Sequence, residues 1–169
     1  MKMIFDSSNK SRLFIAGYII FIYSTLSLAR GLTNSLQNLL GIEGYGLLVN
    51  VFMILCGTAT LMLTAQKGWK TLLAISFPVA IIASTCYFIP YPSEKIHFVE
   101  YGALGILVFR TIPSGLNYLI LAFLFIALVG AGDELIQWYL PNRVGDMRDV
   151  YLNAMSGFLG LWIGKIYFS

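Results

Sequence analysis

Two short polar stretches stand out in a chain that is otherwise nearly uncharged. Residues 94–105 contain the only histidine, His97, followed one helical turn later by Glu100. Residues 133–153 contain a dense run of charged and amide side chains between two apolar segments. An imidazole beside a carboxylate can transfer a proton, and a mixture of acids, amides and arginines can bind a polar ligand. These stretches are therefore expected to carry whatever chemistry the protein performs.

Helical spacing groups the polar residues into shared faces. His97 and Glu100 are three residues apart, and Asp133 and Gln137 are four apart, so each pair lies on one face of its helix. The candidate catalytic residues are His97, Glu100 and Asp133. His97 would act as general acid or base, and Glu100 or Asp133 would orient it. The other candidates are polar side chains that could bind a ligand: Lys95, Tyr101, Glu134, Gln137, Arg143, Asp146, Arg148, Asp149 and Asn153.

The composition is that of an integral membrane protein. Of the 169 residues, 58% are hydrophobic and 11% are charged, and the mean hydropathy is +0.78, far outside the range of soluble domains. The net charge of +3 comes without a basic cluster interleaved with aromatics, which argues against a nucleic-acid partner. Cys56 and Cys86 lie at different depths of successive apolar runs, so neither a disulfide nor a metal motif is expected from them.

Six apolar segments approach the length of about 20 residues that a helix needs to cross a bilayer. They predict an all-α integral membrane protein with six transmembrane helices. The segments are 13–29, 46–65, 71–89, 93–109, 116–132 and a last one from the cap residue Asp146 to Ile166. The fourth is the shortest, because only 14 residues separate Lys95 from Arg110. Leucines at helical spacing between the first two segments predict a short interfacial helix over 31–43.

The distribution of lysine and arginine predicts the orientation in the membrane. With the N-terminus in the cytoplasm, seven cations lie at the inner ends of the spans: Lys2, Lys10, Arg12, Lys67, Lys70, Arg110 and Lys165. The four at the outer ends are Arg30, Lys95, Arg143 and Arg148. Both termini are therefore expected to be cytoplasmic. A model in which 93–109 is a re-entrant loop gives the same tally, so charge counting does not choose between the two topologies.

The cost of burying ionisable groups favours six spans. An ionisable side chain within a span costs several kcal/mol unless it faces protein, a partner or a water-filled cavity. Six spans bring His97, Asp133 and Asp149, which belong to three different helices, to the outer third of the bilayer, where they can share one pocket. A re-entrant segment would leave them on opposite sides. Small residues on the sixth helix predict a face for close helix packing: Gly157, Gly160 and Gly164.

Both polar stretches resemble the VanZ-like family of bacterial membrane proteins, which is named for a protein associated with low-level teicoplanin resistance. The first stretch carries the family pattern at Lys95, His97, Glu100, Tyr101, Leu104 and Gly105. The second carries it at Asp133, Glu134, Gln137, Pro141, Arg143, Asp146, Asp149, Asn153 and Gly157. The resemblance covers 94–166. It implies a cell-envelope protein of the bacterial inner membrane, with antibiotic resistance as the property of one member. It also implies a four-helix domain over 71–169, preceded by a two-span region over 1–70.

Three classes of function fit these observations. The first is an outward-facing pocket that binds a polar or amphiphilic envelope ligand, such as a lipid headgroup or a glycopeptide. The second is an intramembrane hydrolase or transferase that acts on a lipid-linked substrate through His97 with Glu100 or Asp133, although no serine or cysteine nucleophile motif accompanies them. The third is a membrane scaffold or small transporter. Catalysis therefore stays open at this level.

A metal site is the weakest of the chemical hypotheses. The residues that could form one are His97, Glu100, Asp133 and Glu134. A single histidine with carboxylates at these positions has no recognisable ligand spacing. No metal is therefore predicted, and the sequence names no cofactor.

Overall fold

The computed structural model describes residues 2–113, 115–140 and 145–168, with side chains from residue 9 onward. Within these ranges every regular element is helical. The elements are α1 Lys2–Ala65, α2 Trp69–Phe88, a short 3-10 turn Pro92–Lys95, α3 Ile96–Phe109, α4 Leu116–Tyr139 and α5 Met147–Phe168. The all-helical class predicted from the sequence is confirmed.

The long helix α1 consists of two segments joined at Gly41. The backbone of Gly41 has φ 73° and ψ 169°, a conformation that essentially only glycine adopts. The chain therefore changes direction there, between segments 2–40 and 42–65. Residues 31–40 continue the first segment, so the short helix predicted over 31–43 is not a separate element. That this stretch lies at a membrane interface stays a prediction.

The described helices follow the predicted segments in order. The first two predicted spans lie in the two parts of α1, and the others lie in α2, α3, α4 and α5. Three helical stretches are long and apolar enough to cross a membrane by those criteria alone: Asn9–Ala65, Trp69–Phe88 and Leu116–Tyr139. The helix α3 has only 14 residues, and glycine and polar residues lower the hydropathy of α5. The count of six spans therefore stays a prediction.

Large apolar side chains cover the outer faces of the helices. Leu13 is 72% exposed, Leu39 78% and Leu128 72%. Apolar surface of this extent is unfavourable in contact with water but favourable in contact with lipid chains. The exposed surface thus agrees with the membrane location that the composition predicts.

The helices α3 and α5 touch backbone to backbone along a line of glycines. A side chain on Gly105 would collide with the backbone carbonyl of Gly157, and one on Gly160 would collide with that of Gly102. A methyl group added to Gly164 would meet a side chain of α3 at 3.0 Å. Small residues permit this close approach inside a membrane, where packing contacts drive helix association. The predicted packing role of the α5 glycines is confirmed.

The first segment of α1 is fixed against α3 and α4. The Tyr18 hydroxyl donates a hydrogen bond of 3.1 Å to the backbone carbonyl of Glu100, and the Tyr23 hydroxyl donates one of 2.7 Å to that of Val129. The three helices also share a buried apolar cluster with α5. Its members are Ile15, Tyr101, Leu104, Val108, Ala122, Ile126, Val129 and Leu161. The N-terminal helix therefore forms a wall beside the polar ends of α3 and α4.

Candidate functional site

The polar ends of three helices surround one cavity. The turn Pro92–Lys95 leads into α3, α4 ends at Tyr139, and α5 begins at Met147. Because α5 packs against both α3 and α4, these ends lie together, and a cavity of about 490 Å³ separates them from the first segment of α1. Six of the residues predicted from the sequence line it: His97, Glu100, Gln137, Asp146, Arg148 and Asp149.

His97 and Glu100 lie side by side on the cavity wall. The distance from His97 Nδ1 to Glu100 Oε2 is 3.8 Å, which is too long for a hydrogen bond but close enough for an ion pair when the ring is protonated. The two side chains are 13% and 29% exposed, so a molecule in the cavity can reach both. Imidazole and carboxylate in this arrangement are equipped to exchange a proton with a bound ligand.

Asp133 lies behind the cavity wall and does not line it. Its side chain is fully buried. Its Oδ2 accepts a hydrogen bond of 2.8 Å from the Tyr101 hydroxyl, and its Oδ1 accepts one of 3.2 Å from Gln137 Nε2. A carboxylate in this position depends on such donors, because burial removes it from water. The structure gives Asp133 and Tyr101 contacts that hold α3 to α4. The catalytic role predicted for Asp133, orienting His97, and the ligand-binding role predicted for Tyr101 stay predictions.

Glu134 connects the end of α4 to the start of α5. Its Oε1 accepts a hydrogen bond of 2.8 Å from Gln137 Nε2, and its Oε2 accepts one of 3.2 Å from the backbone N–H of Asp146. The Asp146 Oδ1 in turn accepts a hydrogen bond of 2.9 Å from the backbone N–H of Arg148. This is the geometry of a helix N-cap, so the cap role predicted for Asp146 is confirmed.

An ion pair between Glu94 and Arg148 borders the cavity. Arg148 Nη2 donates to Glu94 Oε1, and the guanidinium carbon lies 5.4 Å from the centre of the Tyr91 ring. Glu94 belongs to the turn that precedes α3, outside the three helical stretches that are long and apolar enough to cross a membrane. Burial raises the pKa of its carboxyl group, the charge of Asp149 raises it further, and Arg148 lowers it. The other oxygen, Glu94 Oε2, is buried and accepts no hydrogen bond from the described residues.

Sequence reasoning missed the part of the lining that comes from α1 and from the turn before α3. The missed polar residues are Thr25, Arg30, Thr33, Tyr45, Tyr91, Ser93 and Glu94. Which face of a long apolar helix turns toward a cavity depends on tertiary packing, so spacing alone does not reveal it. The one available signal was charge. Arg30 interrupts an apolar helix, and Glu94 stands directly beside Lys95.

Lys95 and Asn153 make contacts away from the cavity. Lys95 Nζ donates a hydrogen bond of 2.7 Å to Asn50 Oδ1 in the second segment of α1. Asn153 is fully buried, and its Nδ2 donates to the backbone carbonyl of Gly130 at 3.4 Å. Both contacts link helices, and the predicted ligand binding by these two side chains stays a prediction. Arg143, also predicted to bind a ligand, lies outside the described residues.

One imidazole and two carboxylates from three helices converge beside the cavity. His97 of α3, Glu134 of α4 and Asp149 of α5 each offer one ligand atom, and these atoms lie within 4.8 Å of one another. The metal set considered from the sequence contained Glu100 and Asp133 in place of Asp149. Imidazole together with carboxylates is a donor set that suits a divalent transition metal.

Removing the Tyr101 hydroxyl tests the support that Asp133 receives. In a Tyr101→Phe variant the buried carboxylate loses one of its donors, which costs about 1–3 kcal/mol. We expect a lower thermal midpoint for the detergent-solubilised protein. Tyr118→Phe, at an exposed position of α4, is the matched control and should leave the midpoint unchanged. Equal midpoints for the two variants would contradict the proposed support.

Comparison with known proteins gives a family assignment. The sequence matches the model of the VanZ/LLP1 family over residues 5–168, well beyond the 94–166 region that carries the resemblance. No curated protein and no solved structure gives a match. Because the matched region includes both the two-span and the four-helix regions, it does not locate a boundary, and the division at residue 70 stays a prediction. The match spans nearly the whole chain, and the protein therefore belongs to the VanZ/LLP1 family.

Proposed function

We propose that this VanZ-like envelope protein binds the charged headgroup of an amphiphilic ligand, a lipid headgroup or a glycopeptide, in the cavity between α1, α3 and α5. The observation that carries the proposal is the lining, which combines side chains of both charges with apolar ones. The volume of about 490 Å³ lies within the range of about 300–1,000 Å³ that is typical of small-molecule sites. A lipid headgroup fits this space whole, and a glycopeptide would enter it in part.

Arg148 is the residue best placed to recognise an anionic group. Its side chain is 48% exposed, so a ligand can reach it, and it pairs with Glu94 in the absence of one. An arginine recognises phosphate and carboxylate groups through several parallel hydrogen bonds. Leu26, Ala29 and Ile96 line the same cavity and offer an apolar surface for the adjoining part of an amphiphile. The cavity thus supplies both kinds of contact that such a molecule needs.

Replacing Arg148 should weaken headgroup binding. The probes are short-chain phosphatidylglycerol and phosphatidylethanolamine and, separately, teicoplanin, titrated into the detergent-solubilised protein. Because a hydrogen bond to a charged group contributes about 1.5–3 kcal/mol, we expect Arg148→Gln to raise the Kd by about tenfold or more. Arg12→Gln, an exposed position of α1 outside the cavity, is the matched control.

A second variant separates recognition from folding. Arg148→Gln leaves the buried Glu94 without its cation, whereas Glu94→Gln combined with Arg148→Gln removes both charges together. The double variant should fold as the wild type does and still bind weakly. Unchanged affinity in both Arg148 variants would contradict the proposal. Failure of the wild type to bind any of the probes saturably would also contradict it.

An intramembrane hydrolase or transferase is the second candidate function. The observation that favours it is the placement of His97 and Glu100 on the wall of the same cavity, 3.8 Å apart. A general base acts on a ligand that is already bound, so His97→Gln should keep most of the affinity for a lipid-linked substrate while turnover is lost. Retained turnover in that variant would exclude His97 as the base.

We further propose that the protein lies in the bacterial inner membrane with both termini in the cytoplasm and the cavity near the outer surface. The distribution of lysine and arginine supports this orientation. In a background with Cys56→Ala and Cys86→Ala, a cysteine at Tyr139 should react with a membrane-impermeant maleimide from outside intact spheroplasts. A cysteine at Lys67 should react only after the membrane is opened. The reverse pattern would invert the proposed topology.

A further inference from the structure

We propose that His97, Glu134 and Asp149 bind one divalent transition-metal ion, Zn²⁺ or Mn²⁺, beside the cavity. The three residues come from α3, α4 and α5, so the site exists only when these helices are assembled. The proposal does not depend on the headgroup ligand. It concerns a metal ion that the protein would hold before any ligand arrives.

The geometry is close to that of a metal site. Three ligand atoms, one from each residue, lie within 4.8 Å of one another. Around a tetrahedral ion with bonds of about 2.1 Å, neighbouring ligand atoms are about 3.4 Å apart. The separations therefore have to shorten by little more than 1 Å at most, through adjustment of the His97 and Asp149 side chains toward the Glu134 carboxylate. Three protein ligands leave one coordination position for water or a ligand group.

Neighbouring side chains are arranged to orient two of the three metal ligands. Glu134 accepts hydrogen bonds from Gln137 Nε2 and from the backbone N–H of Asp146, which fix its carboxylate. Glu100 Oε2 lies 3.8 Å from His97 Nδ1. A carboxylate beside one ring nitrogen is the usual partner of a metal-bound histidine, because it holds the ring and leaves the other nitrogen to the ion. A movement of well under 1 Å would bring Glu100 Oε2 into hydrogen-bond distance of Nδ1. Glu100 would then be a positioning residue and would leave Nε2 to the ion.

Acidic side chains outnumber arginines in the described lining of the cavity. Among the described lining residues, four are acidic and two are arginines. Glu94 supplies an independent sign of this excess, since it is 8% exposed and its Oε2 accepts no hydrogen bond from any described residue. A buried carboxylate oxygen without a donor is costly. A divalent ion beside Asp149 would reduce the electrostatic part of that cost. It would also turn an acidic cavity into one that admits an anionic group beside Arg148.

Metal binding can be measured on the full chain with the metal alone. The detergent-solubilised protein is treated with EDTA, exchanged into metal-free buffer and titrated with Zn²⁺, Mn²⁺ and Co²⁺. Calorimetry and elemental analysis should give one ion per chain. The absorption bands of bound Co²⁺ report the ligand set directly. We expect His97→Gln and Asp149→Asn each to lower the affinity by tenfold or more, and His97→Gln to shift the Co²⁺ bands.

Two further variants keep the result interpretable. Glu43→Gln, at an exposed position of α1, should bind the ion as the wild type does. Glu100→Gln should weaken binding by about tenfold through its effect on the imidazole, with the stoichiometry unchanged. Wild-type protein that takes up no ion above background would overturn the proposal, and so would equal affinity in the His97, Asp149 and Glu43 variants. Lipid binding measured before and after EDTA treatment shows whether the headgroup proposal stands without the metal.

Discussion

Carboxylates buried between apolar helices impose the constraint on which this structure depends. Each needs hydrogen-bond donors or a counter-charge, because burial removes it from water. Asp133 receives its donors from Tyr101 and Gln137, and Glu134 receives them from Gln137 and the backbone of Asp146. These bonds run between α3, α4 and the start of α5. The hydrogen bonds that offset the cost of burying these carboxylates therefore also fix the helix ends around the cavity.

Backbone contact between α3 and α5 makes this arrangement possible. A side chain at Gly105 or Gly160 would collide with the backbone of the facing helix, so this close packing depends on glycine at both positions. It brings the polar ends of α3 and α5 together beside that of α4. The first segment of α1, bound through Tyr18 and Tyr23, closes the remaining side. The close glycine contacts between α3 and α5 thus support a cavity. The side of the cavity near Arg148 is accessible to a ligand.

Helix order and the convergence of polar groups followed from the sequence, because apolar length and burial cost are local properties. The cost of burial grouped His97, Asp133 and Asp149, and the structure places His97 and Asp149 on one cavity with Asp133 buried behind its wall. The division between lining and support was not predictable. The spacing of Asp133 and the spacing of His97 suggest a site equally well. Tertiary packing alone buries Asp133 behind the cavity wall and places His97 in the wall. Which residues of α1 line the cavity also depends on how that helix is rotated about its axis. Its nearly uniform apolar sequence does not specify this rotation.

The central claim is that the turn before α3 and the start of α5 meet at the edge of one cavity. A short bifunctional thiol crosslinker, applied to native membranes, tests this most directly in a background with Cys56→Ala and Cys86→Ala. The pair Glu94→Cys and Arg148→Cys should crosslink rapidly. The pair Lys67→Cys and Arg148→Cys should not, because Lys67 contacts Tyr167 at the opposite end of the 22-residue helix α5, about 30 Å away. Crosslinking of the second pair without the first would contradict the account.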